Sequence, residues 1–270
     1  MILEQLFGLI WYNRFTVYKW RSTSGKKEKK KRKNKLSLLS VIVAVVIIAV
    51  GGYLQYDTPT QSVRDAASNS SSQTISAKQL AKLNYSGQQI IKVNQNKPTF
   101  SQSDLSIAHG SWQKYHDLDQ LNRVGAANAM LGKDIMPKTE RDPLYVDPTG
   151  WHNKQVHSDG KTVWLYNRSH LIGYQLTGQN NNLKNLMTGT VSLNSPGMEN
   201  YENEIADYLK DTNHHVRYEV EPIFRDQELL PRGVHMMAQS VEDKRISFNI
   251  YIFNVQDDVT LNYSDGTSTN

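Results

Sequence analysis

Residues 164–202 read WLYNRSHLIGYQLTGQNNNLKNLMTGTVSLNSPGMENYE, and the fold class turns on this stretch. It opens as a β-type run through Val163 and Leu165, then sets a lone imidazole, His170, into a polar turn, Asn167-Arg168-Ser169. The apolar patch Leu171-Ile172-Gly173-Tyr174 follows, then an amide-rich loop from Gln179 to Asn182, with further asparagines at Asn185 and Asn194. Beyond Pro196-Gly197, the spacing of Met198, Tyr201, Ile205, Tyr208 and Leu209 predicts a helix that also carries Glu202 and Glu204. A strand, a loop and a helix thus gather one base that titrates near neutrality, a cluster of neutral oxygen donors and a carboxylate one turn into the helix. That donor set suits a hard cation and a water nucleophile.

Each of these residues also has a plain structural reading. A lone histidine is more often structural than catalytic, and Asn194 before Pro196-Gly197 could be a helix N-cap. By spacing, Asn185 could be a turn residue and Glu202 a solvated helix carboxylate. Arg168 could be a surface ion-pair partner. Rival metal sites are weak: there is no HExxH, His152 and His157 lack a third ligand nearby, and His214 and His215 fall on opposite faces of an extended segment.

The stretch resembles the ββα-metal (His-Me finger) core of the DNA/RNA non-specific endonucleases, and among them the membrane-attached competence nucleases of streptococci and lactobacilli. That family carries Asp-Arg-Gly-His, then two asparagines and a glutamate. Here the series reads Asn167-Arg168-Ser169-His170, Asn185, Asn194 and Glu202, with Asn167 in place of Asp and Ser169 in place of Gly. The likeness runs outward through QNKPTFS (95–101), Leu121-Asn122-Arg123, Pro148-Thr149-Gly150-Trp151 and FNIYIFNVQ (248–256), so it covers roughly residues 85 to 263.

The resemblance implies His170 as general base for water and Arg168 steadying the phosphate. It implies Mg²⁺, with Mn²⁺ as a substitute, bound directly through Asn194. Asn185 and Glu202 would then position the cation's waters and the Asn194 amide. A cation held by one neutral amide keeps most of its waters and its full charge for the phosphate. The implied activity is sequence-non-specific hydrolysis of phosphodiester bonds in DNA and RNA. The two departures in the first motif motivate the alternative, a catalytically impaired surface protein of the same fold that binds nucleic acid, such as a DNA receptor.

Composition sets the remaining bounds. The 270 residues contain no cysteine, which excludes disulfide frameworks, disulfide-linked partners and thiolate metal sites. The net charge of +5 is unevenly spread: residues 1–35 hold 11 Lys/Arg against 2 Asp/Glu, and the remaining 235 hold 20 against 24. Residues 36–54, LSLLSVIVAVVIIAVGGYL, carry no charge over 19 positions, long enough for a hydrocarbon core of roughly 30 Å. Lysines on the N-terminal side place that end in the cytoplasm and send the rest outside the cell. A signal anchor is favoured over a cleaved signal peptide by the long basic region, and over a buried core helix by the missing polar face. The lysine cluster reads as a contact with anionic lipid.

The expected organisation is a basic cytoplasmic tail (1–35), a transmembrane anchor (36–54), a flexible Ser/Asn/Thr/Gln-rich linker (55–82) and an extracellular nuclease domain (83–270) of α+β class. Strands are predicted at Gln89–Val93, Val216–Val220 and Ser247–Val255, with a hairpin over 150–165. A helix is predicted over Leu118–Leu131, where Leu118, Leu121, Val124, Ala127 and Leu131 share one helical face, ended by Gly132 and Pro137. A short basic strip of Arg123, Lys138, Arg141 and Lys184 is the expected nucleic-acid contact.

Overall fold

A computed structural model of the chain describes residues 75–270. The expected tail and anchor, and the linker up to residue 74, lie outside the described residues. Packing begins earlier than the sequence suggests. Ala77–Leu80 form a short helix, α1, and Leu80 is fully buried against Val93, Ile223, Tyr251 and Phe253.

The main frame is a six-stranded antiparallel sheet built from β1 (Ile90–Lys92), β2 (Trp112–Tyr115), β3 (Ala127–Leu131), β8 (Val216–Ile223), β9 (Gly233–Ser240) and β10 (Ser247–Phe253). Its spatial order is β1-β10-β9-β8-β3-β2. The period-2 alternation of strand side chains divides its two faces. Ile250 and Ile252 join the large core, while Tyr251 and Phe253 face the small one under α1.

The large core seats the functional unit. A two-stranded ribbon, β6 (Tyr166–His170) and β7 (Leu186–Thr190), leads into helix α3 (Glu199–Thr212). Leu171, Ile172, Met187, Ile205, Ala206 and Leu209 from this ββα unit pack in one cluster with Ala127, Tyr218, Met236 and Ile250 of the sheet. A β4–β5 hairpin (Gln155–Ser158 and Lys161–Trp164) precedes the ribbon, and a one-turn helix α2 (Tyr174–Thr177) follows β6.

Two local expectations are overturned. Asn167-Arg168-Ser169 is not a turn but the middle of β6, paired with Gly189, Thr188 and Met187. The ladder with β7 satisfies a backbone whose polar side chains had suggested a loop. The helix expected over Leu118–Leu131 does not form. The Asp119 carboxylate accepts the backbone N–H groups of Leu121 and Arg123, both at 2.9 Å, and Asn122 takes a left-handed conformation at φ 59°. This Asx-type turn breaks the helical path. Ala127–Leu131 then enters the sheet between β2 and β8, where long-range pairing overrides local periodicity.

Candidate active site

A cavity of about 1030 Å³ opens over the ββα unit. His170, Arg168, Asn194, Glu202 and Arg141 line it, together with Asn167, Trp151, Trp164, Tyr174 and Glu199. Four residues singled out as functional from the sequence, and one from the basic strip, therefore meet at one place. Asn185, Arg123, Lys138 and Lys184 do not line it.

His170 ends β6 and is only 7% exposed. Its Nε2 lies 2.9 Å from the Asn180 carbonyl oxygen. A carbonyl only accepts, so Nε2 carries the proton of the neutral ring and Nδ1 keeps the lone pair. Burial pushes the imidazole down to about 4; the Arg141 charge adds to this, and the Asn180 carbonyl opposes it. The ring is thus a free base at neutral pH.

Asn185 acts behind His170 rather than beside the cavity. It is fully buried, its side chain accepts from Ile172 N–H at 2.9 Å and donates to the Ile172 carbonyl at 3.0 Å. Its own carbonyl accepts from Leu171 N–H at 2.9 Å. These bonds fix the chain where it leaves β6.

Asn194 sits in an irregular turn, Leu193–Met198, interrupted by the extended Ser195. It is not the N-cap of α3: Met198 occupies that position, with no side-chain cap. Asn194 lines the cavity. Glu202, a turn into α3, accepts from Gly173 N–H at 2.9 Å. Burial raises its carboxyl to about 8; the Gly173 bond opposes this, Glu199 adds to it, and Arg141 lowers it. A Cβ at Gly173 would lie 2.5 Å from the Glu202 carboxylate, so any larger residue there would displace that carboxylate.

Arg168 is already committed. It donates to the Val146 carbonyl at 2.7 Å, pairs with Asp147 at 2.6 Å and lies 4.4 Å over the Trp151 ring. It pins the extended segment 141–147 to the ribbon. The amide-rich loop, read from the sequence as a group of oxygen ligands, holds that same segment. Asn180 donates to the Asp142 carbonyl at 3.0 Å, Asn181 donates to the Pro143 carbonyl at 3.2 Å, and the Asn181 side-chain oxygen accepts from Tyr145 N–H at 2.9 Å. The strap so formed carries Arg141 to the cavity, where no carboxylate among the described residues pairs with it.

Two of the other three expected cations are occupied away from the cavity. Arg123 bonds Asp119 at 2.7 Å and the Asp226 and Glu228 carbonyls, and Lys184 pairs with Asp117 at 2.6 Å. Sequence reasoning missed Trp151, Trp164 and Glu199, whose composition carries no signal without the fold. Ser169 occupies a fully buried position beside Gly189, where an added Cβ would meet its Oγ at 2.4 Å. The missing side chain at Gly189 makes room for it, and Ser169 does not line the cavity.

Apart from the His170 nitrogen, the donor set is oxygen. Asn194, Glu199 and Glu202 line the cavity, and among the described residues no three His, Cys, Asp or Glu side chains gather to hold a metal. That fits a hard cation carrying most of its own waters better than a closed tetrahedral site.

The DNA/RNA non-specific endonuclease family model matches residues 105–242, just over half of the chain. Among solved structures, the chain is similar to NucA from Streptococcus agalactiae, known both without metal and with a magnesium ion bound. Identity is 28%, covering 67% of this chain and 86% of that one, with TM-scores of 0.58 and 0.59. It is also similar to the Sda1 nuclease with a bound zinc ion, at 25% identity, 59% and 81% coverage and a TM-score of 0.53.

Proposed function

The chain belongs to the DNA/RNA non-specific endonucleases, and from that premise we propose that it is a cation-dependent nuclease that cuts phosphodiester bonds without regard to sequence, with His170 as the base. The observation that carries this reading is the His170 geometry. A neutral imidazole lines the cavity, its Nε2 proton is held by the Asn180 carbonyl, and its basic nitrogen is free to take a proton from water.

In this reading Asn194 holds the cation and Glu202 orients what surrounds it, fixed in turn by Gly173 N–H. Bound there, Mg²⁺ would neutralise charge on the phosphate oxygens as they become more negative. A magnesium ion bound in the similar NucA structure supports that choice. Arg141 supplies the protein's own positive charge to the phosphate, and Arg168 holds the strap that carries Arg141. Recognition through phosphate rather than base edges makes binding sequence-independent and weaker as salt rises.

Cell-surface location also belongs to the proposal. It rests on the uncharged run 36–54 behind a lysine-rich tail. Protease added to intact cells should then remove the nuclease domain and spare the tail, whereas protection of the whole chain would overturn the topology.

The activity has a direct test. The full chain should degrade plasmid DNA in Mg²⁺, stop when a chelator is added, and resume when excess Mg²⁺ is returned. Plasmid bound but left intact with every divalent cation tried would instead support the impaired, binding-only alternative.

A further inference from the structure

The cavity has an aromatic rim that the hydrolytic reading leaves unused. Four large aromatic side chains line it, and three are held by other contacts. Trp151 lies under the Arg168 guanidinium. Tyr166 is 1% exposed and donates to the Gly266 carbonyl at 2.9 Å. Tyr174 donates to the Thr139 and Glu140 carbonyls, each at 3.0 Å. The fourth, Trp164, is 56% exposed at the end of β5, and among the described residues it pairs with no other ring and no cation. On the strap side, Leu144 lines the same cavity and the adjoining Tyr145 is 77% exposed.

We propose that Trp164 is a stacking platform for an unpaired base next to the phosphate being cut, so that the enzyme favours single-stranded over duplex nucleic acid. The inference rests on the nuclease reading above and names the substrate class that its site takes.

Three observations support that occupant. First, Trp164 shares one cavity with the base His170 and the cation Arg141, so a phosphate between those two brings its neighbouring nucleosides to the rim. Second, His170 is nearly buried. A linkage must therefore descend past the strap and the hairpin to reach it, which a flexible single strand does more readily than a stiff duplex. Third, residues 36–270 hold 20 Lys/Arg against 24 Asp/Glu, so the net charge of this part of the chain does not itself attract phosphate. Stacking provides affinity that tolerates any sequence, because every base has a π-face. In a duplex that face is covered by the neighbouring base pairs; an unpaired base can present it to the indole.

The test uses the full chain and a short single strand containing one hydrolysable linkage, compared with the same strand made abasic beside that linkage, and with its duplex. Binding is measured in chelator by fluorescence anisotropy, and kcat/KM in Mg²⁺. The wild type should prefer the strand to the duplex. It should bind and cut the abasic strand more weakly by roughly 5- to 100-fold, the range expected for one stacked base. Trp164→Ala should weaken the intact strand by a similar factor, lose the abasic penalty and narrow the preference for strand over duplex, while Trp164→Phe restores most of each. An abasic penalty that persists undiminished in Trp164→Ala, or equal losses on strand and duplex, would overturn the proposal. Because binding is read without turnover, the stacking is decided even if no substrate is cut, an outcome that would count against the nuclease reading alone.

Discussion

In the proposed reading, two arginines divide a task that the sequence motif assigns to one. Arg168 stands next to His170 in the chain, yet its guanidinium is taken up by Asp147, the Val146 carbonyl and the Trp151 ring. Arg141, distant in sequence, lines the cavity and pulls down the pKa of both groups, disfavouring the charged form of His170 and favouring the charged form of Glu202. Replacing each with alanine should therefore have different consequences. Arg141→Ala should lower kcat/KM by about 10²-fold, the usual loss for one donor to developing charge, and leave the thermal midpoint in place. Arg168→Ala should cost about 1–2 kcal/mol of stability, through a half-exposed ion pair and a cation–π contact. Thermal denaturation and steady-state kinetics on the same two variants check this. A stable, inactive Arg168→Ala beside an unstable, active Arg141→Ala would reverse the assignment.

At the level of elements, the helix carrying Glu202, the hairpin and the strands β1, β8 and β10 could be read from the chain, because their apolar residues follow the period of the structure they form. Ala127–Leu131 could not, since its residues also fit a helical face and only pairing with Trp112–Tyr115 and Val216–Val220 decides between them. The residues of the site were legible as types, while their roles depended on contacts between distant segments. Asn185 holds Ile172, and Asn180 and Asn181 hold the strap, neither of which spacing reveals. Another such contact lies at the start of the one-turn helix α2, where Gly173 abuts Glu202 of α3. Gly173→Ala should push the carboxylate aside, because its backbone angle suits alanine and only the added methyl conflicts. The Mg²⁺ concentration giving half-maximal activity should rise about 10- to 100-fold, as for other groups that orient a metal's surroundings. An unchanged Mg²⁺ requirement would detach Glu202 from the cation.

Across the whole molecule, charge and chemistry are separated. The lysine-rich tail carries the positive excess, while the rest of the chain is mildly acidic and sets Arg141 in the same cavity as His170. The six-stranded sheet serves mainly as a rigid backing on which the ribbon and α3 hold His170, Asn194 and Glu202 around one cavity. Everything proposed for this arrangement depends on His170 acting as the base that activates water. Its ionisation is pushed down to about 4 by burial, so the basic form persists as pH falls below the ordinary histidine range and is lost only on approaching that value. The most direct measurement is the activity of His170→Ala with and without added imidazole, across pH. Turnover should fall by about 10²–10⁴-fold with DNA binding unchanged, and imidazole should restore part of it, with a pH dependence that follows imidazole's own ionisation rather than the lower wild-type limb. Asn194→Ala should be inactive and not rescued. Full activity in His170→Ala, or imidazole rescue of Asn194→Ala, would contradict the account.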